Sequence, residues 1–322
     1  MNINKLKFSI ILPAYNVDAF LQKCVETCEM QNINHKEYEI IIINDGSTDS
    51  TLQLAQTLQQ SYSNIKILSQ NNQGLSMARN NGAKIAQGKY LWFIDSDDYI
   101  SHNCLKDIFE VAESYQLDMF GVAPKIPFIE NFPIEFKQSN DLTKVYSGKE
   151  WLLSGNAFIG AWAYIIKREF WENTGYQFYP QLYFEDTELM PKLMFKASRL
   201  SAFNRFSCYA YVQRDGSIMN SKWTKKKISD LGRIINSHFD YINTEPEITN
   251  NPKLRAIFEH LCSSNYICAL SNMKTIEGGK FLDEWIQRLN KKPRKIYGKT
   301  FPEKIYQFIA FNFPRLFVSI NK

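Results

Sequence analysis

Residues 90–98 read Tyr90-Leu91-Trp92-Phe93-Ile94-Asp95-Ser96-Asp97-Asp98, an apolar run followed at once by three carboxylates. A short, unbroken apolar run predicts a strand buried on both faces of a sheet. The acidic residues then fall where the strand surfaces. Ionised carboxylates beside a core need water, a cation or hydrogen-bond donors to compensate them, and an all-oxygen cluster suits Mg²⁺ or Mn²⁺. A plainer alternative is an acidic turn closing the strand, because Asp is a common turn former.

Three comparable runs precede this one: Phe8 to Leu12, Ile40 to Ile43 and Ile65 to Leu68. Between them lie segments with helical spacing, around Phe20, Leu21, Cys24, Val25 and Cys28, then Leu52 to Leu58, then Leu75 to Ala86. Alternating strand and helix predicts an α/β fold with a mainly parallel, doubly wound central sheet flanked by helices. Ligands are expected at the carboxyl ends of its strands. The polar clusters fall at those ends. Pro13-Ala14-Tyr15-Asn16 follows the first run, Asn44-Asp45-Gly46-Ser47-Thr48-Asp49 the second, and Asn71-Asn72-Gln73-Gly74 the third, ahead of a helix carrying Arg79. Each could by itself be a turn or a helix cap; four on one rim point to a site.

Beyond Asp98 the rhythm loosens. Residues 128–136, with Pro127 and Pro133 nearby, read as loop or edge strand. An apolar pattern resumes from Trp151 through Phe158 to Ile166, and Tyr183-Phe184-Glu185-Asp186-Thr187-Glu188 then leads into a helical pattern. Pro191 predicts that this helix starts late or is kinked, with Asp186 at its entrance. From about Trp223 the chain reads as helical.

The chain has 322 residues, of which 44% are hydrophobic, enough for a substantial core and about two domains. A net charge of +5, with basic and acidic residues interspersed, does not describe a nucleic-acid-binding surface. Six cysteines without a Cys-x-x-Cys pair read as a reduced protein. His102 and His260 each lie two residues before a cysteine, but no histidine pair with ligand spacing and no Cys-x-x-Cys occurs, which argues against zinc. The apolar run after Lys5 and Lys7 is too short for a signal peptide, and no window approaches the roughly 20 apolar residues of a spanning helix. The chain is therefore expected on the cytoplasmic side. Between Arg288 and Lys322 nine basic residues face Glu303 as the only acid, interleaved with Tyr297, Phe301, Tyr306, Phe308, Phe311, Phe313 and Phe317. This tail reads either as a peripheral contact with an anionic membrane or as a helix packing its aromatics on the body.

Taken in order, Pro13-Ala14-Tyr15-Asn16, Asn44 to Asp49, Gly74 to Asn80, Asp95 to Asp98 and Glu185-Asp186 resemble the family 2 glycosyltransferases of GT-A fold. The resemblance covers roughly residues 6 to 220. It implies a Rossmann-like domain over residues 1–220, with a nucleotide-binding half (1–100) and an acceptor-binding half (101–220), followed by a helical extension over 221–322. It also implies a nucleotide-sugar donor, UDP-sugar being favoured, a divalent metal (Mg or Mn) and inversion at the anomeric carbon. The acceptor would be a glycan or lipid-linked saccharide of cell-envelope polysaccharide synthesis.

On this resemblance Pro13, Ala14, Tyr15 and Asn16 line the nucleoside, and Asp45 accepts from the uracil ring, which a carboxylate can do. Arg79 lies near the nucleotide, Asp95 and Ser96 contact it, and Asp97 reaches the metal that bridges the diphosphate. Asp98 reads as a turn residue. Asp186, paired with Glu185, matches the catalytic base, with Glu188 second, since an inverting displacement needs a carboxylate opposite the leaving group. An acidic first helical turn favoured by the helix dipole is the structural alternative. Arg214 and Ser217 resemble a loop closing over the diphosphate, and Trp162 an acceptor-side aromatic or else a core tryptophan. An Asp-x-Asp phosphatase would usually carry its motif on the first strand, and a nucleotidyltransferase would need a Gly-rich basic loop after that strand. A non-catalytic nucleotide-sugar-binding or membrane-scaffolding protein of the same fold is the remaining alternative.

Overall fold

The computed structural model describes residues 6–122, 124–125, 144–155, 157–202, 208–212, 221–273 and 279–320. The chain divides into two compact units. One comprises Met1–Gln181 with Leu189–Arg214, the other Leu182–Glu188 with Asp215–Lys322.

The first unit begins with β1 (Phe8–Ala14), α1 (Asp18–Glu29), β2 (Tyr38–Asn44), α2 (Thr51–Ser61), β3 (Ile65–Ser69), α3 (Leu75–Ile85) and β4 (Tyr90–Phe93). Each of the four apolar runs is a strand. They pair in parallel in the order β3-β2-β1-β4, with Ile10 opposite both Ile40 and Trp92. The central strands are apolar on both faces because helices cover both sides, and β1, β2 and β4 are buried along their whole length.

The chain continues through β5 (Tyr99–Ile100), α4 (Leu105–Ser114), β6 (Met119–Gly121), β7 (Pro124–Lys125), α5 (Gly148–Ser154), β8 (Tyr164–Lys167), α6 (Arg168–Thr174), α7 (Glu185–Lys196), β9 (Leu200–Ala202) and β10 (Tyr209–Ala210). The main sheet extends from β4 through β8, β6 and β9, with β8 antiparallel to both of its neighbours. A small second sheet, β5-β10-β7, brings Tyr209 opposite Ile100, just beyond the acidic turn. Pro191 does not delay α7, which begins at Glu185 and runs through it. The proline removes one backbone bond without ending the helix. The expected loop over 128–136 lies outside the described residues.

The second unit carries α8 (Lys225–Thr244), α9 (Pro246–Thr249), α10 (Pro252–Met273), α11 (Gly279–Gln287), α12 (Phe301–Asn312) and α13 (Pro314–Ile320). Its core packs α8 against α10 through Ile235, Phe239, Phe258 and Tyr266, and the Trp285 indole donates to the Ile228 carbonyl at 2.9 Å. No helix among the described residues is long and apolar enough to cross a membrane.

At the amino end of the parallel strands, polar groups are consumed internally. Buried Glu39 accepts from the Ser9 hydroxyl (2.5 Å) and the Gln87 amide (2.6 Å), and pairs with Lys66. Gly88 lies against β1, and a Cβ there would sit 2.3 Å from both the Phe8 carbonyl carbon and the Ser9 nitrogen. Backbone cannot swing aside as a side chain can. Gly88→Ala is expected to cost about 3 kcal/mol, the upper range for overpacking, read as a lowered urea midpoint with an unchanged slope; an unmoved midpoint would show that β1 shifts freely.

Candidate active site

At the carboxyl ends of β1, β2 and β4 the loops are tied to one another rather than to bulk water. After β1, Asn16 adopts a left-handed backbone (φ 51), a conformation that Asn tolerates better than most residues. Its side-chain oxygen accepts from the Thr48 amide at 2.8 Å, and its own amide donates to the Ser47 hydroxyl at 3.2 Å. Val17 donates to Thr51 Oγ1 at 2.8 Å. These bonds lace the first loop to the second. Pro13 and Ala14 are buried strand residues whose carbonyls serve the site, Pro13 accepting from Ser96 (2.6 Å) and Ala14 from the Asp45 amide (2.9 Å). Tyr15, 48% exposed, and Asn16 are the exposed residues of this group.

Asp45 is buried, and its carboxylate fixes the loop after β3. One oxygen accepts from Gln70 Nε2 (2.7 Å) and the Gln73 amide (2.8 Å), the other from the Gly74 amide (2.8 Å). Three of its roughly four acceptor positions are thus used, leaving about one for an incoming N–H. Gly46 beside it has φ 72, and a Cβ there would lie 2.8 Å from the Asn72 nitrogen, so only glycine fits between the two loops.

Gly74 caps α3, whose buried Arg79 reaches the acidic turn. Its Nη2 donates to Asp95 Oδ1 at 2.6 Å, and its guanidinium lies 5.3 Å from the centre of the Phe178 ring. Asn80 holds the Phe178 backbone with two hydrogen bonds, at 2.8 and 2.9 Å. At 2% exposed, Arg79 is a buried residue and not a solvated helix arginine.

The acidic turn divides its carboxylates. Burial raises the pKa of Asp95; the Arg79 charge lowers it and the Asp97 charge raises it again. Asp98 does more than form a turn. It is buried, accepts from the Tyr209 hydroxyl (2.6 Å) and the Val212 amide (2.7 Å), and is pushed up to about 8 by burial and by the charges of Asp95 and Asp97. Tyr209 also accepts from the Asp95 amide at 3.2 Å, so one phenol spans the turn. Asp97, half-buried, lies between these two fixed carboxylates.

Such crowding of like charge is what a divalent cation would relieve, and an all-oxygen donor set fits Mg²⁺ or Mn²⁺. Among the described residues no group of three or more His, Cys, Asp and Glu side chains could hold a metal by itself.

Trp162 is 6% exposed and its ring stacks on Tyr209, with centroids 4.4 Å apart and planes at 17°. Of the two expectations for Trp162, an acceptor-side aromatic or a core tryptophan, its burial matches the second, with Tyr209 stacked on one face. Phe158, 41% exposed and 5.1 Å from Trp162, is the aromatic of this stack that meets solvent.

Within the second unit, Asp186 opens α7 and accepts from the Thr187 amide at 2.7 Å. Glu188 is buried and accepts from the Ser237 hydroxyl (2.5 Å). The segment is held from outside: Tyr183 donates its amide to Asp230 (3.0 Å), and Phe184 stacks on Trp223 at 5.7 Å. Phe184 has φ 62, a costly conformation for a bulky residue, immediately before Glu185-Asp186. Arg214 and Ser217 lie outside the described residues.

Sequence reasoning missed Tyr209, Phe158, Phe178 and the anchoring role of Asp98, none of which carries a local motif. Removing the hydroxyl in Tyr209→Phe strips a donor from Asp98 and an acceptor from the Asp95 amide. Chemical denaturation is expected to show a loss of about 2 kcal/mol; a loss within about 0.5 kcal/mol, the range of ordinary surface substitutions, would show that the bridge is dispensable.

A family model described as "Glycosyl transferase family 2" matches residues 9–211. Glycosyltransferase GlyA of Streptococcus pneumoniae is 30% identical over 237 residues, covering 68% of this chain and 32% of GlyA. The chain thus spans about a third of the length of the first curated relatives that it matches. Poly(ribitol-phosphate) beta-N-acetylglucosaminyltransferase TarS of Staphylococcus aureus is 24% identical over 323 residues, covering 84% of this chain and 55% of TarS. A crystal structure of TarS in complex with UDP-GlcNAc superposes with a TM-score of 0.68 at 18% identity, covering 98% of this chain and 89% of that one. A mannosyltransferase from Pyrobaculum calidifontis, solved with GDP-Man and Mn²⁺, gives 0.55 at 12% identity, covering 98% and 86%.

Proposed function

The chain belongs to glycosyl transferase family 2, and from that premise we propose that it moves a sugar, with inversion, from a nucleotide-sugar donor to a hydroxyl of a glycan or lipid-linked acceptor in cell-envelope polysaccharide synthesis. The observation that carries this reading is the rim at the carboxyl ends of β1, β2 and β4, where Arg79, Ser96 and Tyr209 hold a buried acidic turn. Residues 1–220 are proposed as the GT-A domain, with residues 1–100 on the nucleotide, 101–220 on the acceptor and 221–322 as a helical extension. UDP is the favoured nucleotide, because Asp45 keeps about one acceptor position for the imide N–H of uracil.

The residues divide the work as follows. Tyr15, with Pro13, Ala14 and Asn16 shaping its loop, borders the nucleoside. Asp95 and Ser96 set the nucleotide side of the acidic turn, and Arg79 holds Asp95 in place. Arg214 and Ser217 are proposed to close on the diphosphate. Asp97 would hold the divalent ion, Mg or Mn, which when bound offsets the charge gathering on the departing nucleoside diphosphate. Asp186 takes the proton from the acceptor hydroxyl, with Glu185 beside it. Glu188, buried and accepting from Ser237, is the second candidate. Support for a polymer acceptor comes from TarS, a poly(ribitol-phosphate) beta-N-acetylglucosaminyltransferase. Residues 288–322 are proposed to bring the chain to an anionic membrane, on its cytoplasmic face, where a lipid-linked acceptor would sit.

Two substitutions separate these roles. Asp186→Asn is expected to lower kcat by about 10²-fold or more, the usual contribution of a general base, with donor affinity retained in calorimetry. Asp97→Asn should instead abolish the dependence of donor affinity on Mg²⁺ or Mn²⁺. Transfer by Asp186→Asn at the native rate would remove Asp186 as the base, and unchanged metal dependence in Asp97→Asn would remove Asp97 as the ligand.

A further inference from the structure

The aromatics of the tail, which the sequence leaves as one group, separate onto two faces of α12 and α13. Facing inward, Phe311 and Phe317 are buried; Phe311 meets Tyr266 at 5.9 Å, and Phe317 meets Tyr306 edge-on at 4.5 Å. The Tyr306 hydroxyl lies 3.0 Å from that of Ser271 on α10, and Arg315 forks onto Asp283 of α11. These contacts fasten the hairpin to its own unit. Facing outward, Phe301, Ile305, Phe308, Phe313 and Leu316 are each between 44 and 75% exposed.

The outward set is a stripe rather than a scatter. Phe301, Ile305 and Phe308 stand at i, i+4 and i+7, one side of a helix. The Phe308 and Phe313 rings, 6.2 Å apart, carry the stripe across the break before Pro314 into α13. Scattered apolar residues on a surface are ordinary, but a contiguous ridge marks an interaction face.

The charge around the ridge identifies its occupant. From Arg288 to Ile320 there are eight Lys and Arg residues and one acid, Glu303. Arg315 is paired with Asp283, Lys295 lies 3.8 Å from Glu259, and Lys291 and Lys292 lie over the Phe239 and Tyr266 rings, which leaves Lys299 and Lys304 to border the ridge. Lys304 lies within the ridge and Lys299 at its start, both exposed. Glu303 is held at the amino end of α12, accepting from the Lys299 (2.7 Å) and Thr300 (3.2 Å) amides in a capping box, so its charge is spent on the helix terminus. A second copy meeting this face across a two-fold axis would set Lys299 and Lys304 against their own counterparts. A surface of opposite charge with an apolar interior has no such penalty.

We propose that Phe301, Ile305, Phe308, Phe313 and Leu316 insert into the interface of an anionic lipid leaflet, with Lys299 and Lys304 on its headgroups. Aromatic and aliphatic groups on one face with lysines alongside form the pattern of a helix lying in a membrane interface. The inference rests on the glycosyl-transfer reading only in giving the attachment a purpose, which is to bring the chain to a membrane-borne acceptor.

Co-sedimentation of the full chain with phosphatidylglycerol/phosphatidylcholine vesicles, against phosphatidylcholine alone, tests it. The native protein is expected to bind the anionic vesicles, less so in high salt, and the triple variant F301S/I305S/F308S to bind at least tenfold more weakly with its thermal midpoint kept. Donor turnover measured without vesicles should be equal in the two proteins. Equal sedimentation of variant and native protein, or a native protein that ignores anionic vesicles, would overturn the proposal. So would light scattering that shows a stable native dimer converted by the variant to monomer, since the ridge would then be a self-interface. Vesicle binding without turnover of any nucleotide sugar would sink the transferase reading and leave this one standing.

Discussion

Three carboxylates at the end of a fully buried strand set the terms for the first unit. Charge placed there costs several kcal/mol unless donors or cations meet it, and the surrounding structure is organised to meet it. Arg79 reaches Asp95 from α3, Tyr209 reaches Asp98 from β10, and Ser96 anchors the peptide between them to β1. Each of these partners requires its own support. Arg79 lies against Phe178, whose backbone Asn80 holds, and Tyr209 lies flat on Trp162. Residues far apart in the chain are thus bound into one arrangement by the need to keep an acidic turn at the rim of a core.

The same logic orders the two ends of the parallel strands. At the amino end, Glu39 takes donors from Ser9, Gln87 and Lys66 and is closed off. At the carboxyl end, the protein uses its hydrogen bonds to stiffen loops, through Asn16 to Thr48 and Asp45 to Gly74, while Tyr15 stays at the solvent. A rim of stiffened loops is suited to ligand binding because little ordering remains to be done when the ligand arrives. In the second unit, the left-handed Phe184 stacked on Trp223 holds a costly conformation directly before Asp186.

Much of this was legible in the chain. Continuous runs such as Ile40 to Ile43 have one stable fate, a strand covered on both faces, and the polar clusters that follow them must then lie at one edge. Asp95, Asp97, Asp45 and Arg79 could be singled out because each sits in a local cluster at a strand end. Tyr209 and Phe178 could not, since their partners lie far along the chain, Asp98 being 111 positions from Tyr209 and Asn80 98 positions from Phe178. Trp162 looked equally suited to core or surface, and its neighbours in sequence could not say which face Tyr209 would cover.

Periodicity and composition act locally, and they were enough to specify the parallel sheet, the rim on which its polar loops gather, and the basic, aromatic composition of the tail. Only the tertiary structure decided which carboxylates are bound and which aromatics are covered. It sent Asp98 to Tyr209 and Glu188 to Ser237, buried Trp162, and left Phe301, Ile305 and Phe308 outside. The physical reason is that burial and hydrogen-bond pairing belong to neighbours in space, and those neighbours exist only once the strands have paired and the helices have closed over them.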